Sequence, residues 1–291
     1  MNIWGLNVLN VFEAVLKHLD KKGRDEYGKA WMGLVKDCFG VLEDSYKILN
    51  QQGRPPINYS ELPTQAGYIF GYAMPRSYFS DEFLRRHRTA LGKPLFDRNE
   101  IVAVSFGGGP GSELIGLLNY LGDPEMAEAV TSVSYRVYDK DSDWKAVARK
   151  VVQHANSDIQ VALTYHELDL ADLDATALVD ISDADLVVFS YVMSELCALD
   201  SKDEIAANVN RILSTMSSGA AMMFVESKQP EFINYFKECK GFHGKQKNDD
   251  DKGIDIELPN FGTKFQKFAD ELERTPRMSS GSILSKWYVK S

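Results

Sequence analysis

The chain has 291 residues, 44% of them hydrophobic, with 33 basic against 42 acidic side chains and a formal net charge of −9. That is ample apolar material for a sizeable core, and the acidic balance argues against nucleic acid as the main partner, which asks for a basic face. Cys38, Cys197 and Cys239 lie far apart with no zinc-type spacing, so neither a disulfide framework nor a metal site is expected.

Residues 1–52 have helical periodicity, with a break expected near Lys21 to Arg24. Glu13 and Lys17 interrupt the first apolar stretch, which reads as an amphipathic helix and not a signal peptide. No uninterrupted apolar run is long enough to cross a membrane, and a cytoplasmic protein is expected. Gly53 to Pro56 end the first helices, and a third helical stretch runs from Thr64 to Leu91, interrupted at Pro75 and rich in aromatics. From Glu100 the period changes. Strands are expected at Ile101 to Phe106, Val133 to Tyr138, Val161 to Glu167, Leu186 to Phe189 and Ala220 to Glu226, with helical segments between them. That rhythm predicts a parallel sheet with right-handed crossovers. Beyond Pro230 the reading gives a helix at Glu231 to Cys239, a polar loop at Gly241 to Gly253, a short helix at Phe265 to Leu272 and a terminal strand at Ile283 to Val289.

The stretch from Ile101 to Leu118 joins a buried strand, the glycine turn Gly107-Gly108-Gly109-Pro110-Gly111 and a helix start. Such a cradle lets backbone approach a nucleotide-type ligand. A P-loop would need Gly-Lys-Ser/Thr, yet the turn runs into Ser112-Glu113, where a carboxylate repels phosphate. A dinucleotide fingerprint would need glycine at position 112, and Pro110 removes an amide that a pyrophosphate would use. A turn that merely packs tightly stays open as an alternative.

The turn Phe106 to Gly111 resembles motif I, E/D-x-G-x-G-x-G, of the class I, Rossmann-like S-adenosylmethionine-dependent methyltransferases. The resemblance extends over Ile101 to Glu226. It implies an α/β fold with a doubly wound, mostly parallel seven-stranded sheet (residues 96–291) behind an N-terminal helical module (1–95). It implies S-adenosyl-L-methionine as cofactor, with Gly107, Gly109 and Gly111 in the turn and Asp139 on the ribose hydroxyls. Asp169 and Leu170 would sit at the adenine, and Ser190 near the methyl group. The acid expected before the turn is replaced by Ser105-Phe106, so Glu113 or a residue of the helical module is expected to help hold the methionine end. The aromatic segment carrying Tyr72 and Arg76 is expected to form a lid over the cofactor. Tyr191 and Glu195, after the fourth strand, are placed to meet the acceptor, with helix packing and an exposed helix-start acid as their bland alternatives.

The expected acceptor is a small molecule, and tyrosines near the mouth suit an amine through cation–π contacts. Two other readings remain: an RNA or protein methyltransferase using Arg85 to Arg88, or a non-catalytic methyltransferase-like binding protein. No membrane partner is expected, and oligomeric state is not legible.

Overall fold

The computed structural model describes residues 8–48, 57–88, 93–123, 125–126, 129–241, 244–246, 254–258, 264–275 and 280–290. Helix α1 (Val8–Tyr27) runs straight through the polar stretch in which a break was expected. Lys21 pairs with Asp25 and Arg24 with Asp20 one turn apart, which supports the helix there. The chain turns four residues later, at a short 3₁₀ segment beginning with Gly28 at φ +55°. Helix α2 (Trp31–Lys47) follows.

The expected interruption at Pro75 takes a particular form. Helix α3 (Leu62–Tyr68) passes through one π turn (Ile69–Ala73) into α4 (Met74–Arg86), with Pro75 in the first turn of α4. In a regular helix the Pro75 ring would meet the carbonyl of Gly71, four residues back. The π turn spans Gly71 and lets the chain stay helical.

Helix α5 (Lys93–Phe96) leads into the sheet. Strands β1 (Glu100–Phe106), β2 (Ser132–Asp139), β3 (Gln160–Glu167), β4 (Leu186–Ser190) and β5 (Ala221–Ser227) are parallel. Their crossovers carry helices α6 (Ser112–Leu121), α7 (Trp144–His154), α8 (Leu173–Ala177), α9 (Met193–Leu196) and α10 (Lys202–Ser214). Helix α11 (Pro230–Lys240) and strands β6 (Gly244–Gln246) and β7 (Ile254–Glu257) come next, then α12 (Gln266–Leu272) and β8 (Ser280–Lys290).

The spatial order is β3-β2-β1-β4-β5-β8-β6, with β7 also on β8, and β8 runs antiparallel to β5. This is a Rossmann-like doubly wound sheet. Seven strands were expected. Six form the sheet proper, and the seventh position is shared by β6 and β7, which pair end to end with opposite halves of β8. Gly244–Gln246 is therefore strand inside the stretch expected to be a polar loop, because the outer edge of β8 offers it a ladder. Most of that stretch lies outside the described residues.

The two faces of the sheet bury different sets. Ile101, Ala103, Val133, Tyr135 and Val137 pack in one contiguous core with α1–α4, α6 and α7. Val104, Phe106, Val187, Phe189, Met222 and Phe224 pack against α10 and α11. Helices α4 and α6 approach so closely that a Cβ on Gly116 would lie 2.4 Å from the Ser77 carbonyl oxygen. Ser77 Oγ also donates to the Ser112 carbonyl at 2.7 Å, fixing the first turn of α6.

Candidate functional site

Strand order reverses between β1 and β4, and that switch point is where an open α/β sheet holds a ligand. A cavity of about 470 Å³ opens there. Gly107 and Gly109 after β1, Asp139 at the end of β2, Leu168 to Ala171 after β3, and Tyr191 and Val192 after β4 line it. Ile57, Tyr59, Tyr68 and Arg76 close it from the helices ahead of the sheet.

The turn has glycine because its backbone requires it: Gly107, Gly109 and Gly111 have φ of +64°, +45° and +84°. Three of its amides are engaged within the protein. Gly107 N–H donates to the Tyr138 carbonyl (2.8 Å), Gly111 N–H to the Gly108 carbonyl (2.8 Å), and Gly109 N–H to Asp139 Oδ2 (2.8 Å). Pro110 has no N–H, and the Glu113 carboxyl accepts from its own backbone amide at the start of α6. Little is left here for a phosphate.

Asp139 is the hinge of this arrangement. Its other oxygen, Oδ1, accepts from Asp141 N–H at 2.9 Å. Burial lifts its carboxyl to about 7 from an ordinary 3.8, against the pull of the Asp141 and Gly109 amides. A carboxylate accepts several hydrogen bonds, so these two amides orient both oxygens without exhausting them. Asp169 is exposed on the rim, with Oδ1 accepting from Ala171 N–H at 2.9 Å, and the neighbouring Leu170 carbonyl is held by Asn208 Nδ2 at 2.9 Å.

Arg76 forms the opposite wall. It is only 8% exposed, and its guanidinium carbon lies 4.7 Å from the Tyr191 ring centre, 5.0 Å from Tyr68 and 5.5 Å from Tyr46. It donates to the Tyr68 hydroxyl and, at 3.3 Å, to that of Tyr46. Two buried acids feel its charge. Glu113 is raised by burial and held back by Arg76 and Ser190. Glu226, fully buried at the end of β5, is pushed by burial to about 7, while the Ser227 and Ser194 amides and Arg76 pull the other way.

Glu226 was not singled out in the sequence. It accepts from Ser194 N–H at 3.0 Å and Ser227 N–H at 2.9 Å, and so ties the loop after β4 to the end of β5. An acid ending the otherwise apolar run Ala221 to Val225 was the signal. That loop carries Tyr191, whose φ of +54° is strained for a tyrosine, and Glu195, which accepts from the Tyr59 hydroxyl at 3.2 Å.

Of the residues singled out beforehand, Gly107, Gly109, Asp139, Asp169, Leu170, Arg76, Tyr191 and Glu195 meet on the cavity wall. Gly111, Glu113 and Ser190 stand behind it: Gly111 as the left-handed N-cap of α6, the other two buried beside each other. Tyr72 also stands behind, packed on Tyr46 (4.6 Å between ring centres) and Tyr68 (5.9 Å). Tyr59 and Trp144 line the cavity and were missed, because their placement depends on contacts distant in sequence. The basic run at the end of α4 is largely neutralised: Arg85 pairs with Asp81 and Asp123, and Arg86 with Glu82. Among the described residues no cluster could hold a metal ion, and no helix is long and apolar enough to cross a membrane.

No protein-family model matches the chain, and no curated protein matches it. Solved structures do show similarity. A putative class I S-adenosylmethionine-dependent methyltransferase from Listeria monocytogenes is 15% identical over 98% of this chain and 88% of its own, with a TM-score of 0.44. The CurJ carbon methyltransferase is 12% identical over 94% of this chain and 71% of its own, TM-score 0.46. The N-methyltransferase NodS from Bradyrhizobium japonicum WM9, in complex with S-adenosyl-L-homocysteine, is 11% identical over 74% of this chain and 98% of its own, TM-score 0.39. Such distances transfer neither an acceptor nor a residue's role. By its own strand order the chain is a Rossmann-like α/β protein with a cavity at the switch point of its sheet.

Proposed function

We propose that this protein is an S-adenosylmethionine-dependent methyltransferase acting on a small molecule. The observation that carries the reading is the Gly109 N–H bond to Asp139. A glycine turn with three of its amides engaged, and a carboxylate lodged against it, suits a nucleoside without phosphates. Asp139 has the chemistry to accept from two ribose hydroxyls. Asp169 and the Leu170 backbone would border the adenine, and Gly107 and Gly109 allow close backbone approach. Arg76 supplies the charge for the methionine carboxylate, with the acid Glu113 near its charge and Tyr72 packed on the Tyr46 and Tyr68 rings that surround it. Residues 1–95 then act as a cover on the Rossmann-like part, 96–291.

When bound, the cofactor supplies an activated methyl group, so the protein's task is alignment in a dry, shaped site. Tyr191 and Glu195 would meet the acceptor. The neutralised arginines of α4 weigh against an RNA acceptor.

Calorimetric titration tests the reading. S-adenosylmethionine and S-adenosylhomocysteine are expected to bind one to one, while NAD and ATP give no heat. Tight binding of NAD or ATP, with none of the two sulfur nucleosides, would reverse the assignment.

A further inference from the structure

Four polar groups form a directed chain, three of them, Arg76, Tyr59 and Glu195, on the cavity wall and Tyr46 behind it. Arg76 carries only donors, so the Tyr46 hydroxyl accepts from it (3.3 Å). Tyr46 lies 2.7 Å from the Tyr59 hydroxyl, and Tyr59 lies 3.2 Å from Glu195 Oε1. Each hydroxyl has one proton. With Arg76 at one end and a carboxylate at the other, all protons point toward Glu195. The Tyr59 ring is fixed as well, edge-on to Tyr68 (5.8 Å) and tilted against Trp144 (6.0 Å).

The same geometry bears on what can sit beside Glu195. The faces of Tyr46, Tyr68 and Tyr191 are turned to the Arg76 guanidinium, which never loses its charge. A second cation on those three faces would meet like charge, which weighs against an amine held there by cation–π contacts. The ring walls that Tyr59 and Trp144 give the cavity remain flat and apolar.

Resting on the methyltransferase reading, we propose that the acceptor end of this cavity takes a small, flat, uncharged molecule that donates an O–H or N–H hydrogen bond to Glu195. Tyr59 is the positioning residue that aims the carboxylate. Glu195 touches the acceptor; Tyr59 acts through Glu195.

The test is titration of the full-length protein with 2-naphthol, a neutral aromatic donor, and with benzylammonium, its cationic counterpart. Each is measured near neutral pH with and without saturating S-adenosylhomocysteine. Naphthol is expected to bind and benzylammonium not. Glu195→Gln should weaken naphthol roughly ten-fold and Tyr59→Phe roughly five-fold, by loss of a charge-assisted bond and of one ordinary bond. A structural role for Tyr59 would add its loss to that of Glu195. Positioning through Glu195 predicts that Tyr59→Phe has no further effect in the Glu195→Gln background. Additive losses overturn the role of Tyr59. Equal binding of benzylammonium, or naphthol binding indifferent to Glu195→Gln, overturns the acceptor class. If naphthol binds as expected and S-adenosylhomocysteine does not, the methyltransferase reading fails and the donor-accepting pocket stands.

Discussion

The most quantitative consequence concerns Asp139. Burial holds its carboxyl at about 7 against an ordinary 3.8, which sets up to about 4 kcal/mol against the ionised form. Two ribose hydroxyls donating to it favour that form, at about 1.5–3 kcal/mol per bond. Cofactor affinity should therefore rise as pH rises through 7, by roughly ten-fold per pH unit below it, and level off above. Asp139→Asn replaces charge-assisted bonds with neutral ones of about half the strength. The loss is roughly 2–3 kcal/mol, or about thirty- to a hundred-and-sixty-fold in affinity, and the pH slope should vanish. The unliganded protein should show the opposite trend. A carboxyl raised in the folded state keeps its stabilising proton at low pH and loses it as pH rises from about 4 to about 7, so stability falls across that window. Calorimetry from about pH 5.5 to 8.5, with denaturant melts at the same values, measures both trends. An affinity flat with pH, or an asparagine variant within two-fold of wild type, refutes the reasoning. A slope that survives in Asp139→Asn belongs instead to Glu226, which burial also lifts to about 7.

Two further substitutions probe the frame around the cavity. Arg76→Met removes the charge that the buried Glu113 and Glu226 feel and the donors to the Tyr68 and Tyr46 hydroxyls, and should cost about 1–3 kcal/mol in urea unfolding. Part of that loss should return at low pH, as the two acids take up protons. Gly116→Ala forces a Cβ to 2.4 Å from the Ser77 carbonyl and 2.7 Å from Ser80 Cβ. About 1–3 kcal/mol of overpacking should lower the melting temperature, through the α4–α6 contact alone.

Local signals were legible in the sequence where the physics is local. Apolar runs and period-3.6 patterns placed β1–β5 and the helices α6, α7, α8 and α10 within a few residues, while the short α9 was not read. The glycine turn announced itself because left-handed backbone excludes most side chains, and Asp139 was named by the family resemblance at the end of the second strand. The α1 break was misplaced because charged residues at Lys21 to Arg24 look like a loop until their one-turn pairing with Asp20 and Asp25 is seen. The π turn was hidden because a proline signals interruption but not its form. Tyr59 was invisible for a different reason: its partner Glu195 is far away in sequence; Glu226 left a signal as an acid ending an apolar run, but only the folded sheet brings it to Ser194.

The central claim is that the cavity at the β1–β4 switch point is a cofactor site built on Asp139 and closed by Arg76. A crystal structure with S-adenosylhomocysteine tests it most directly. Both ribose hydroxyls should lie within hydrogen-bond reach of Asp139, with the amino-acid carboxylate on Arg76. A ligand seated elsewhere, or a cavity that stays empty at saturating concentration, would contradict it.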